Sequence, residues 1–148
     1  MTADTTLLQM RYTDIIKTYA EQEHISLRQA MDIFYRSRLF TQVRRGISDL
    51  HCMDERYLAE SLRQEVGKPE TGSEALDICE EALDFGTFCI QALAEHLGIA
   101  DEAAYILLTE KTNLLDIYIL KHWEVLHTQG KEYIVEDLMT VLRKKGGE

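Results

Sequence analysis

One pattern of residues occurs twice in this 148-residue chain and constrains its fold more than any other feature. The stretches "LHCMDERYLAESL" (residues 50–62) and "LHTQGKEYIVEDL" (residues 126–138) share five residues at identical offsets, 76 positions apart. The shared residues are Leu50, His51, Tyr57, Glu60 and Leu62 in the first stretch and Leu126, His127, Tyr133, Glu136 and Leu138 in the second. A repeat of this kind is typical of one structural unit built twice.

The repeat extends upstream with a slightly different offset. Ala20, Glu21, Ile25 and Ala30 recur 74 positions later as Ala94, Glu95, Ile99 and Ala104, so the loops between the blocks differ in length by two residues. We therefore predict an all-α fold in which two pseudo-repeated four-helix units pack as a small helical bundle. The sole proline, Pro69, marks a linker over 69–72 between helical repeats at 1–68 and 73–148.

Apolar residues spaced three and four apart predict helices throughout, and no stretch alternates polar and apolar residues for long enough to suggest a strand. Ser26 has the side chain of a helix N-cap, and Ser73 and Gly98 bracket a long core helix. The predicted helices cover about 5–23, 26–37, 39–47, 54–66, 74–97, 101–110, 113–126 and 130–145.

The net charge of −10 is carried entirely by the second half of the chain. Residues 1–69 contain 10 Lys/Arg and 10 Asp/Glu, whereas residues 70–148 contain 6 and 16. Such an acidic half repels nucleic acid and favours basic protein surfaces. Four arginines in the first half, Arg36, Arg38, Arg44 and Arg45, are candidates for binding phosphate or an acidic surface, although a solvated helical face is the favoured interpretation.

The repeated residues have a structural and a catalytic interpretation. In the structural one, the two tyrosines bury their rings with the leucines, and a His-Tyr-Glu hydrogen-bond network closes each unit. In the catalytic one, each His-Tyr-Glu set is an acid-base site. The structural interpretation is favoured because no nucleophile recurs beside the sets: Cys52 in the first copy is replaced by Thr128 in the second.

Other classes of site have weaker support. His122 and His127 are five residues apart, which does not suit two metal ligands on one helical face, and we expect neither metal nor cofactor. Tyr118 and Trp123 are aromatic residues of the type that anchors partners. There is no apolar run of membrane-spanning length and no signal-peptide pattern, so a cytoplasmic location without membrane contact is expected.

The segment "LLTEKTNLLDIYILKHWEVLHTQGKEYIVEDLMTVLRKKG" closely resembles a family of small bacterial helical domains of unknown function, and "VLHTQGKEYIVEDL" carries most of the resemblance. The first copy, with "ISLRQAMDIFYRSRLF" and "ISDLHCMDERYLAESL", is similar to a divergent branch. Relatives are often encoded beside, or fused to, a domain that resembles ADP-ribosyltransferases. The resemblance assigns no catalytic residue and implies a protein partner.

The sequence thus predicts a non-catalytic protein-interaction module, with the resemblance pointing to an antitoxin or regulatory subunit of an ADP-ribosyltransferase-like partner. Two alternatives stay open. One is a helical enzyme or small-molecule-binding domain that uses the His-Tyr-Glu sets. The other is a structural domain that associates with itself as a homodimer.

Overall fold

The computed structural model describes residues 5–45, 54–67 and 78–146, and most of these residues are helical. None of them lies in a β-strand, so the predicted all-α class is confirmed for this part of the chain. Among the helices described, none is both long and apolar enough to cross a bilayer. The contacts divide the chain into two compact units, Met1–Leu83 and Asp84–Glu148.

The first unit is organised around its N-terminal helix. Its described elements before residue 80 are α1 (Thr5–Glu23), α2 (Leu27–Tyr35), α3 (Arg38–Arg45) and α4 (Glu55–Val66). Helix α1 packs against both α2 and α4, and α3 also contacts α2 and α4. The core-facing stripe of α1 contains three fully buried residues, Ile15, Ile16 and Tyr19. Their separations of three and four residues along the helix place Tyr19 on the same face as the two isoleucines.

Aromatic rings fill the centre of this unit. Tyr12 of α1, Phe34 and Tyr35 of α2 and Phe40 of α3 are all buried. The ring centroid of Phe40 lies 4.9 Å from that of Tyr12 and 4.6 Å from that of Tyr35. Phe34 and Phe40 meet edge to face, with an interplanar angle of 88°. Because tilted and edge-to-face pairs add to the burial of the rings, this cluster fixes three helices against one another.

Side-chain caps explain where the helices of the first unit begin. The Ser26 hydroxyl accepts a hydrogen bond from the Gln29 amide at 3.0 Å, and the Asp54 carboxylate accepts one from the Arg56 amide at 3.0 Å. Helix α3 is capped from a neighbour instead. The Glu65 carboxylate of α4 accepts hydrogen bonds from the backbone amides of Arg38 (2.7 Å) and Leu39 (3.0 Å), which satisfies two exposed donors.

The second unit contains most of a long helix and a series of shorter elements. The elements are α5 (Glu80–Leu97), α6 (Asp101–Ile106), the π-helical turns π1 (Leu107–Lys111) and π2 (Leu115–Ile119), α7 (Trp123–Leu126) and α8 (Lys131–Gly146). The first turn of α5 still belongs to the first unit, where Lys17 Nζ lies 2.9 Å from Glu80 Oε1. The hydrogen bond to Glu80 raises the pKa of Lys17.

The helices predicted over 101–110 and 113–126 are present, but both adopt π geometry in part, and turn residues 120–122 interrupt the second. In π2, the Leu120 amide donates to the Leu115 carbonyl, five residues earlier, at 2.8 Å. This i→i+5 hydrogen bond defines the π geometry. The apolar residues in and beside π2 are all buried: Leu114, Leu115, Ile119 and Leu120. Near π1, the Thr112 hydroxyl donates to the Leu107 carbonyl at 2.9 Å and so competes for a backbone acceptor.

The domain limits remain a prediction. The expected linker at 69–72 and the expected cap Ser73 lie outside the described residues. The expected start of the long core helix is wrong, since Ile78 and Cys79 precede α5, which begins at Glu80. The division by contacts falls between Leu83 and Asp84.

Candidate protein-interaction surface

The two repeated tyrosines lie at the surface. The side chain of Tyr57 on α4 is 53% exposed and that of Tyr133 on α8 is 54% exposed, so the prediction that their rings are buried is wrong. An α-helix advances about 100° per residue. Leu58 and Leu62 of α4 face the core, and Tyr57 therefore points away from it, as Tyr133 does relative to Ile134 and Leu138.

The predicted hydrogen-bond network is absent from the second set. His127 Nδ1 donates to the Trp123 carbonyl of its own short helix at 2.8 Å, while Tyr133 and Glu136 are exposed. No hydrogen bond among the described residues joins His127, Tyr133 and Glu136, so the proposed closure of the unit is wrong there. In the first set, Glu60 is exposed, and Leu50 and His51 lie outside the described residues. The repeated leucines of known placement, Leu62, Leu126 and Leu138, are buried.

Tyr118 and Trp123 lie in a half-buried aromatic patch of the second unit. The Tyr118 hydroxyl donates to the Asp137 carboxylate of α8. The Tyr118 ring meets His122 at 5.8 Å between centroids, and Trp123 meets His127 at 5.1 Å. Burial, and secondarily the hydrogen bond to Asp137, raises the pKa of Tyr118 to about 12. Two aliphatic side chains of the same segment are exposed, Ile117 (41%) and Val125 (67%).

The arginine group of the first unit has local structural roles. Arg36 Nε lies 2.9 Å from Asp32 Oδ1, one turn earlier on α2. Arg44 and Arg45 occupy the last turn of α3, where positive charge complements the helix dipole. Arg38 opens α3, with its backbone amide capped by Glu65 and its side chain exposed. Arg36, Arg38 and Arg45 are exposed, whereas Arg44 is partly buried and its Nε atom is buried. The solvated face and the anion site both stay predictions.

An open groove in the second unit was missed by the sequence reasoning. Its cavity has a volume of about 470 Å³, and its walls come from the C-terminal half of α5 and the N-terminal half of α8. The lining residues are Ala92, Glu95, His96, Lys131, Glu132, Val135 and Glu136. Lys131 Nζ lies 2.9 Å from Glu95 Oε2 and so ties the two helices together. The sequence feature that could have indicated this groove is the i, i+4 spacing of Glu132 and Glu136. This spacing places both carboxylates on one face of α8.

Neither the cysteines nor the histidines of the described part form a reactive or metal-binding cluster. Cys79 is exposed and Cys89 is buried, both as free thiols, and burial raises the pKa of the Cys89 thiol. Within the described residues, no three His, Cys, Asp or Glu side chains are arranged to hold a metal ion. The unpaired Cys52 lies outside the described residues.

Residues 84–145 match the family model described as "Protein of unknown function (DUF3791)". The matched segment lies within the second unit, so this unit contains a DUF3791 domain of unknown function. The predicted resemblance to a family of unknown function is confirmed at these residues. Neither the curated proteins nor the solved structures contain a match to the chain.

Proposed function

We propose that this protein is a non-catalytic protein-interaction module built from two copies of one helical unit. The observation that carries the proposal is the exposure of Tyr57 and Tyr133, which occupy matching positions and are exposed to the same extent, 53% and 54%. Core packing explains why leucines recur at the repeated positions, but it does not explain a recurring tyrosine on the outer face. Exposed tyrosines are favoured as binding anchors because they bury a large ring and retain a hydroxyl for hydrogen bonding.

The backbone at the end of the first helix of each unit supports the duplication. The Ile25 amide donates to the Ala20 carbonyl at 3.1 Å, and at the matching positions the Ile99 amide donates to the Ala94 carbonyl at 3.0 Å. His24 and Gly98, which precede the two donors, both have positive φ, 58° and 68°. Two helices that end in the same way at matching residues are expected of two copies of one unit.

The starts of later helices give the same support. Ser26 and Ala100, the residues before α2 and α6, have nearly identical backbone angles, φ −69° with ψ 157° and φ −69° with ψ 152°. Helices α4 and α8 also begin at matching positions, Glu55 and Lys131. The π-helical turns π1 and π2 have no counterpart among the described residues of the first unit.

The family resemblance suggests the kind of partner. Relatives are encoded with ADP-ribosyltransferase-like domains, so we propose such a domain as the partner and an antitoxin or regulatory subunit as the role. The acidic surplus of residues 70–148 suits a basic nucleotide-binding cleft. Long-range attraction between opposite charges would speed the encounter and make the association rate depend on salt.

The catalytic alternative gains no support from the second His-Tyr-Glu set, whose His127 bonds to a backbone carbonyl. Self-association competes with the proposal directly, because exposed Tyr57 and Tyr133 would serve a homodimer equally well. Light scattering separates the two, since a homodimer forms without any other protein.

The test is quantitative affinity capture from the host lysate with the full-length tagged chain, followed by mass spectrometry. Wild type is compared with a Tyr57→Ala/Tyr133→Ala double variant. The matched control is Gln64→Ala/Thr140→Ala, which truncates exposed residues at corresponding positions of the same two helices. Light scattering of each purified variant reports its own oligomeric state.

Capture of a stoichiometric ADP-ribosyltransferase-like protein by wild type and control, but not by the tyrosine variant, supports the proposal. A monomer or homodimer that captures no stoichiometric protein contradicts it. Saturable thermal stabilisation of the chain by nucleotides, NAD or divalent metals would instead favour the small-molecule alternative.

A further inference from the structure

We propose that the α5–α8 groove of the second unit binds a basic segment of the partner protein and receives an arginine or lysine side chain. This inference rests on the proposed interaction function and names the chemistry of one binding site. The groove comprises the seven lining residues given above, from Ala92 to Glu136.

The floor and walls of the groove differ in polarity. Ala92 and Val135 are buried and supply an apolar floor, whereas Glu95, Glu132 and Glu136 are exposed at the walls. An arginine or lysine side chain likewise combines an apolar part, its aliphatic stem, with a charged head. The stem would lie over the floor while the head reaches the carboxylates.

Two of the carboxylates are available to a ligand. Glu95 is paired with Lys131, at 2.9 Å. Glu132 and Glu136 have no ion pair or side-chain hydrogen bond with any described residue. They are one helical turn apart on α8, and like charges at this spacing repel each other. A bound guanidinium or ammonium group relieves that repulsion and makes charge-assisted hydrogen bonds.

The corresponding positions of the first unit lack these features, which makes the groove specific to the second. Arg56 occupies the position that matches Glu132, so the pair with Glu60 has opposite charges. Gln22, which matches His96, extends its side chain across to α4 and reaches the Ala59 carbonyl at 3.5 Å. Glu55, which matches Lys131, is paired with Arg11 at 3.3 Å. At these matching positions, the first unit therefore has no comparable pair of free carboxylates.

The experiment is an NMR titration of the ¹⁵N-labelled full-length chain with an alanine-rich helical peptide carrying two arginines four residues apart. A second peptide with glutamines in place of the arginines is the probe control. Three variants are compared with wild type: Glu132→Arg, which introduces the residue of the first unit, Glu136→Gln, and Glu60→Gln as the matched control.

The arginine peptide is expected to cause saturable amide shifts confined to 92–96 and 131–136. Its affinity should fall about tenfold in Glu136→Gln and in Glu132→Arg, as expected when a charge-assisted hydrogen bond is lost. Glu60→Gln should bind like wild type, and the glutamine peptide should cause no shifts. Unchanged spectra outside the groove show that each variant is folded.

Shifts scattered over both units, no saturable shift, or an unchanged affinity in Glu132→Arg would overturn the groove proposal. Affinity capture with Glu132→Arg separates this failure from failure of the proposed function. If wild type and Glu132→Arg capture the same partner equally, the interaction function stands and the groove assignment is wrong. If wild type captures no partner, the interaction function itself fails.

Discussion

The hydroxyl of Tyr118 donates a hydrogen bond to the carboxylate of Asp137 and thereby joins π2 to α8. Tyr19 of the first unit is in the opposite situation. Its side chain is completely buried, and its hydroxyl has no hydrogen-bond partner among the described residues. These two tyrosines therefore allow a comparison of a hydrogen-bonded hydroxyl with one that has no partner among the described residues.

Replacing Tyr118 by Phe is expected to lower the free energy of unfolding by about 1–2 kcal/mol, because a hydrogen bond to a charged group is lost. Replacing Tyr19 by Phe is expected to leave it unchanged or to raise it, because the change removes a buried polar group without a partner. Urea unfolding of both variants, followed by circular dichroism, measures the difference. A larger loss for Tyr19→Phe than for Tyr118→Phe would contradict this assignment.

Stability is expected to fall at alkaline pH. Burial is the first cause that raises the pKa of both Tyr19 and Tyr118 to about 12, from the ordinary value of 10.0. The folded chain therefore holds these protons more tightly than the unfolded chain does. Their contribution is complete below pH 10 and decreases as the pH rises to about 12. Unfolding free energies measured at pH values across this window should decline less steeply in Tyr118→Phe than in wild type.

Ser26 and Ala100, the residues that immediately precede α2 and α6, allow a reciprocal exchange of serine and alanine. Ser26→Ala removes the hydroxyl that accepts from the Gln29 amide and should cost about 1 kcal/mol. Ala100→Ser places a hydroxyl on a backbone of the same conformation, which has no side-chain cap, and should stabilise by roughly 0.5–1 kcal/mol. Thermal unfolding of both variants tests whether the two units are equivalent at this position. Destabilisation by Ala100→Ser would argue against that equivalence.

His24 and Gly98, which follow α1 and α5 and have positive φ, permit a second pair of substitutions. His24→Gly should stabilise the protein by about 1 kcal/mol, since glycine adopts the left-handed conformation without steric cost. Gly98→Ala should destabilise by a similar amount, and purely through the backbone, because an added Cβ would meet no atom within 4 Å. Denaturant unfolding measures both effects, and unchanged m-values would show that stability, not the compactness of the denatured chain, has changed.

The sequence by itself determined the all-α class and many helix limits. The predicted bounds 5–23 agree with α1, Ser26 caps α2 as expected, and α4 follows Asp54, where its start was predicted. These features are local, since a cap and its target are separated by only two or three residues. The local glycine signal at Gly98 also ended α5 as predicted.

Tertiary structure decided which side chains of those helices face solvent. Tyr57 and Tyr133 adjoin buried Leu58 and Ile134, and one residue of rotation on a helix separates core from surface. Apolar spacing also did not predict the π geometry of Leu107–Lys111 and Leu115–Ile119. The groove is lined by residues of α5 and α8, among them Glu95 and Lys131, which are 36 residues apart and lie 2.9 Å from each other. Such a site depends on where helices pack, which local sequence patterns do not specify.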